Sequence, residues 1–192
     1  MISVDDYNEK NIQLASLIKK YGLEKDTWFA IQLNTIDSHE QVEQLHRMGF
    51  NLASHTLTHA FLTEIPLADA YCEMKDSKDM LEKITGKKID WLILPRGRGN
   101  DEIYRMAIEI GYKYIRTTKI HDEQNYFYPE LHNRIKGGNH LSYPRKEYNG
   151  VDPFEWAKKS ELNHHWLHCF ELDKFGIWDK FEEFLIWYKD NK

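Results

Sequence analysis

Apolar positions along this chain follow two periods that take turns. Residues 8–21 place Ile12, Leu14, Ala15, Ile18 and Tyr21 on one broad helical face, with Gly22 positioned to end it. WFAIQL at 28–33 is a short apolar run of strand type. Ser38, with Gln41 three residues later, reads as a capping box opening a second helix that Gly49 closes. Residues 50–54 are again strand-like. Pro66 precedes a long helix to about Thr85, stopped at Gly86. WLIL at 91–94 is a strand, Asn100 caps a helix that stops at Gly111, and YKYIRT at 112–117 is the next strand. From 118 to 150 the pattern weakens to one strand near 131–135 and a loop rich in Gly, Asn and Tyr, a length suited to a substrate-facing segment. Asp152 and Pro153 open another helix as cap and first helical residue. Residues 166–170 read as a buried strand, and the last helix, 178–188, carries Phe181, Phe184, Leu185 and Tyr188 on one side.

Repeated strand–helix units imply parallel strands with helices outside, in a doubly wound sheet or a barrel. Sites in such α/β folds form beyond the carboxyl ends of the strands. The unusual polar residues fall at those ends: Asp5 and Asp6 after the first strand, His55 after the third, 95–99 after WLIL, Arg116 to Thr118 at the end of YKYI. His168 lies in the last strand. Five segments therefore aim polar groups at one rim.

Composition narrows the classes. The 192 residues suit one domain with a substantial core, and 41% hydrophobic with 30% charged residues describes a globular chain. A net charge of −5 leaves no basic surplus for phosphate neutralisation and argues against nucleic-acid binding. The two cysteines, Cys72 and Cys169, form no CxxC pair, which excludes a thiolate zinc cage and a disulfide framework. No apolar run approaches the ~20 residues of a membrane span, and MISVDDYNEK lacks the features of a signal peptide. The expectation is a cytoplasmic protein of undefined oligomeric state.

NLASHTLTHAFL, residues 51–62, carries the sharpest chemistry. His55 and His59 are four apart and would share a face if the segment were helical, so that both could reach one ion. Asp5 or Asp6 is the natural third donor. Two imidazoles and one carboxylate leave coordination positions open, the mark of a catalytic metal site, and suit zinc first, with cobalt, nickel or iron as alternatives.

SVDDY, SHTLTH, the LPRGRGN turn and HHWLHCFEL, in this order across residues 3–178, resemble the polysaccharide deacetylases of carbohydrate esterase family 4. That resemblance implies a distorted (β/α) barrel of about seven strands and metal-assisted hydrolysis of N-acetyl groups on amino sugars. It makes Asp6, His55 and His59 the metal ligands, Asp5 the general base and His168 the general acid, with a backbone N–H near the first strand on the oxyanion. Tyr7, Arg96, Arg98, Trp166 and His140 become candidate substrate contacts. The chain also departs from the family. Where the third motif often has arginine, this chain has Ile93, leaving Arg96 or Arg98 to take over a charged role. The acid of the fourth motif has no secure counterpart; Asp122 is one candidate, and Glu171 is another way to orient His168. Tyr7 stands where many members have glycine.

His164 and His165 flank Trp166, and one of them could line the pocket mouth. Cys169 reads as a buried strand residue, not a nucleophile, since alternate strand faces separate it from His168. Two other functions stay open: a deacetylase or deformylase of a small or lipid-linked sugar precursor, and a catalytically inactive carbohydrate-binding protein on the same fold.

Overall fold

A computed structural model of the chain describes residues 1–119 and 134–192. In chain order its elements are β1 (Ile2–Asp5), α1 (Asn11–Lys20), β2 (Thr27–Ile31), α2 (Ile36–Met48), β3 (Asn51–Ser54), α3 (Leu67–Thr85), β4 (Trp91–Ile93), α4 (Asp101–Ile110), β5 (Tyr114–Arg116), β6 (Ile135–Lys136), β7 (Asn139–His140), α5 (Pro153–Lys159), β8 (His165–His168), α6 (Cys169–Phe175) and α7 (Trp178–Asn191). The strands form one sheet in the order β6-β5-β4-β3-β2-β1-β8-β7, and every pairing is parallel.

The two outermost strands, β6 and β7, are joined by only Gly137 and Gly138. Three Cα steps reach at most ~11 Å, so the ends of the sheet meet and it curls into a distorted (β/α) barrel. The β6–β7 segment acts as one bent strand, pairing with β5 on one side and β8 on the other, which makes the expected seven. A glycine is required at the bend. A Cβ on Gly138 would come within 2.9 Å of Trp166 Cδ1, while Trp166 Nε1 donates to the Gly138 carbonyl at 3.1 Å.

Period-two alternation sorts the strand residues into two faces. Ile2, Val4, Phe29, Ile31, Leu52, Leu92, Ile115 and Leu167 join the large core under the helices. Ala30, Ala53 and Ile93 form a separate small cluster with Trp28 and Trp91. The two alanines on this inward face leave room for polar groups from β1, β5 and β8.

The helix over 36–48 is capped by Thr35 rather than Ser38. Thr35 accepts from the Ser38 N–H and the Ser38 hydroxyl lies 3.3 Å from the Thr35 N–H, so the capping box starts three residues earlier than the Ser38–Gln41 pattern suggests. The last strand ends at His168, and Cys169 is the buried first residue of α6. Of the strand expected near 131–135, residues 131–133 lie outside the described residues and Ile135 begins β6. Among the described residues no helix is long and apolar enough to cross a membrane.

His165 faces outward from β8, edge-on to Phe184 and Tyr188 of α7. Burial holds its pKa down at about 3, against about 6.5 in an unfolded chain. The unfolded state therefore protonates first, so this contribution to stability is complete above pH ~6.5 and falls as the pH drops toward 3. Going from pH 7 to pH 5 is expected to cost about 2 kcal/mol from this residue. Urea unfolding at both pH values checks it, and the difference should shrink by that amount in His165→Phe.

Candidate active site

The carboxyl ends of β1, β3 and β8 bring the acid pair and three histidines into one cleft of about 640 Å³. β1 stops at Asp5 because Asp6 turns to φ 69°, a left-handed conformation that breaks the ladder and swings its carboxylate sideways. Asn11 holds that turn by donating to the Asp6 carbonyl at 2.9 Å. The HTLTH segment is not helical as the four-residue spacing suggested; it is a loop in which Thr56 and His59 both have positive φ. Glu73 of α3 pins the loop, accepting from the N–H groups of Leu57 and Thr58 and from the Thr58 hydroxyl at 2.6–3.0 Å. Among the described residues, four of the five non-glycine residues with positive φ (Asp6, Thr56, His59, Arg96) belong to the loops that build this cleft. Strain of this kind concentrates where geometry serves function.

His55 Nε2 and His59 Nε2 lie 3.2 and 3.4 Å from Asp6 Oδ1. His55 is buried, and its Nδ1 lies 2.7 Å from the Ile93 carbonyl. A carbonyl only accepts, so Nδ1 carries a proton, and Nε2 is the nitrogen turned toward the Asp6 carboxylate. Asp6 Oδ1 is itself buried without a hydrogen bond. Burial works against ionisation of Asp6, yet the imidazoles around it, His55 first, hold its carboxyl down at about 2. Burial, then His55, lower the pKa of His59, keeping that ring neutral. The two imidazoles and a carboxylate oxygen without a hydrogen bond, with ligand atoms within 4.8 Å of one another, form a donor set that fits one divalent cation.

Asp5 is also buried, at 3% exposure. Its Oδ2 is paired with Arg116 Nη2, whose guanidinium also lies 4.7 Å from the ring centre of Trp166. β5 and β1 are four places apart in the sheet, so this contact crosses the barrel interior. Arg116 is the register partner of Ile93: the charge missing from β4 is supplied by the neighbouring strand. Neither Arg96 nor Arg98 is the partner of Asp5. Arg98 pairs at the surface with Glu64 at 3.0 Å, and Arg96 lies 5.1 Å from the ring centre of Phe61. Arg116→Ala is expected to destabilise the fold by about 3–5 kcal/mol, because it leaves a buried carboxylate uncompensated. Urea denaturation measures this.

His168, the N-cap of α6, lies with Nε2 3.7 Å from Asp6 Oδ2 and Nδ1 3.1 Å from Glu171 Oε2. HCFE is a capping box: Glu171 sits at the third helical position and accepts from the His168 N–H at 3.0 Å. The same oxygen accepts from the Ser142 hydroxyl and from His140 Nε2 at 2.9 Å. Burial pushes Glu171 up, but its hydrogen bonds with His140 and His168 prevail and hold it well below the carboxylate range. For His168 burial lowers the pKa, and Glu171, Asp5 and Asp6 together override it, leaving the ring above its ordinary value. His140 stacks on Trp166, with ring centres 3.8 Å apart and planes 5° from parallel.

Of the expected substrate contacts, Arg96, His140 and Trp166 line the cleft, whereas Tyr7 and Arg98 do not. Tyr7 packs on the core, its N–H donating to Gln32 Oε1 at 3.0 Å. Neither His164 nor His165 reaches the cleft mouth. Asp122 lies outside the described residues. Two residues that spacing alone did not single out, Arg116 and Glu73, hold Asp5 and the HTLTH loop. Arg116 carried one signal, its place at a strand end.

Residues 1–115 match the family model described as polysaccharide deacetylase. The YxkH protein of Bacillus subtilis (strain 168) is 31% identical over 124 residues, which make up 62% of this chain and 44% of that protein. The chain thus spans under half the length of that curated relative. A solved polysaccharide deacetylase from Bacillus cereus is 26% identical and superposes over 67% of this chain and 42% of its own, with a TM-score of 0.55. A family 4 carbohydrate esterase from Streptomyces lividans, solved in complex with acetate, is 13% identical and shares the fold over 98% of this chain and 88% of that one, with a TM-score of 0.65.

Proposed function

This chain belongs to the polysaccharide deacetylase family, carbohydrate esterase family 4, and from that membership we propose that residues 1–192 form one catalytic domain that hydrolyses N-acetyl groups of an amino sugar or polysaccharide. The observation that carries the reading is the meeting of Asp6, His55 and His59 around an unsatisfied carboxylate oxygen, with Asp5 and His168 in the same cleft.

Asp6, His55 and His59 hold the metal, of which zinc best matches the donors. When bound, the ion supplies Lewis acidity toward water and toward the amide oxygen. Asp5 takes a proton from the attacking water. Arg116 keeps that carboxylate in place from across the barrel, with one oxygen occupied by the guanidinium. His168 delivers a proton to the departing nitrogen, which leaves as an amine while the acyl group leaves as acetate. Its Nδ1 rests beside Glu171, so Nε2 is the nitrogen turned toward Asp6 and the cleft. Arg96, His140 and Trp166 border the space for the sugar.

Acetate release tests the reading. The protein is purified, stripped with chelator, reloaded with zinc, cobalt or nickel, and offered N-acetylglucosamine oligomers and monomeric N-acetylated sugars. Release that disappears on stripping and returns on reloading is the expected result. Stoichiometric metal without any acetate release would favour a carbohydrate-binding role on this fold.

A further inference from the structure

Beneath Asp5 the barrel interior holds a second buried polar pair that the steps above leave unused. Ser3 precedes Asp5 by two residues on β1, so both side chains point inward. Ser3 is also in register with Trp166, and His164 lies two residues before that tryptophan. This placement puts His164 directly below Ser3. Ser3 Oγ is 3.4 Å from Asp5 Oδ1, and His164 Nε2 is 3.1 Å from Ser3 Oγ. Ser3 is fully buried and His164 nearly so, its ring edge-on to Trp91.

The partners assign the protons. An ionised Asp5 only accepts, so the Ser3 hydroxyl donates to Oδ1. The serine oxygen then accepts, and His164 must supply the N–H from Nε2. His164 Nδ1 is buried with no partner, as a bare ring nitrogen would be. Burial, and after it the charge of Arg116, depress the pKa of this imidazole well below its usual value. It therefore carries a single ring proton, already committed to Ser3.

We infer that Ser3 and His164 are positioning residues for Asp5: His164 fixes the Ser3 hydroxyl so that it donates to Asp5 Oδ1 while Arg116 holds Oδ2. Nothing else in the proposed reaction requires a histidine below the base. With both oxygens anchored, the carboxylate cannot turn about its own axis, and its free lone pairs keep one orientation toward the water. Without His164 the serine hydroxyl rotates freely, and Oδ1 loses its directed donor. The inference rests on the reading of Asp5 as the base.

The test uses the metal-loaded protein and its Ser3→Ala, His164→Leu and His164→Asn variants, with acetate release, metal content and melting temperature measured for each. Ser3→Ala and His164→Leu are expected to lower kcat about 10- to 100-fold, a misplacement-sized loss, with KM and metal content unchanged. His164→Asn, whose amide can still donate to Ser3, should recover most of that loss. In the Ser3→Ala background, His164→Leu should cost nothing more. Additive losses, or wild-type kcat in a folded His164→Leu, would overturn the inference. If His164→Leu does not fold, Ser3→Ala and His164→Asn still decide. Nitrogen NMR of labelled histidine gives an answer independent of turnover: the Nε2–H tautomer at His164 is required, and the Nδ1–H tautomer refutes the chain. A wild type that releases no acetate but shows the Nε2–H tautomer would place the failure in the base reading and leave the hydrogen-bond chain intact.

Discussion

Asp6→Ala is expected to purify with almost no metal, beside a wild type carrying one divalent ion per chain, as read by elemental analysis. The expectation follows from what surrounds that carboxylate. Asp6 Oδ1 faces two imidazole nitrogens, accepts no hydrogen bond, and is buried. Such an arrangement is unfavourable without a cation, and two histidines alone make a much poorer site. Alanine also brings a backbone cost of about 1 kcal/mol, because residue 6 sits at φ 69°. Asp6→Asn separates the two effects: asparagine tolerates the left-handed turn and offers only a neutral carbonyl oxygen. It should keep the wild-type melting temperature measured without metal and still fail to retain the ion. Full metal occupancy in both variants would remove Asp6 from the ligand set.

Asp5→Asn is expected to do the reverse, holding its metal and losing turnover by about 10²–10⁴-fold, the range typical of a lost general base. Asp5 lies beside the Asp6–His55–His59 cluster without belonging to it. Its oxygens are directed to Ser3 and Arg116, and Asp6 turns away from it at the end of β1. Asparagine keeps the shape and removes the proton acceptor. The loss should stay below that of a metal-free variant, since the metal and the substrate contacts persist. The buried Arg116 loses its counter-ion in this variant, so a lower melting temperature should accompany the loss of rate. Acetate release by a metal-loaded preparation, with elemental analysis of the same sample, reads both quantities. Wild-type turnover in Asp5→Asn would end its role as base.

Three features of this site were legible along the chain for a common reason: each is a strand-end or helix-end signal. The acid pair closes the ISV strand, HTLTH follows the LAS strand, and His168 ends the last strand ahead of Glu171 at capping-box spacing. Alternating strand and helix periods likewise announced the parallel (β/α) architecture, because burial on one face or both imposes those periods locally. The HxxxH spacing pointed to two rings that do meet, but for a helical reason that does not hold, since positive φ at Thr56 and His59 turns them together in a loop.

Tertiary structure alone decided the rest. Arg116 and Asp5 are 111 residues apart and four strands apart, and they meet only because the Gly137–Gly138 bend closes the sheet on itself. No local period encodes a contact across a barrel. His164 next to Ser3, His140 against both Trp166 and Glu171, and Glu73 under the HTLTH loop depend in the same way on strand order, register and helix docking. The sequence by itself determined which groups stand at the strand ends, because that follows from local periodicity. Closure of the barrel determined which of them face each other, because such contacts exist only once the distant strands are packed.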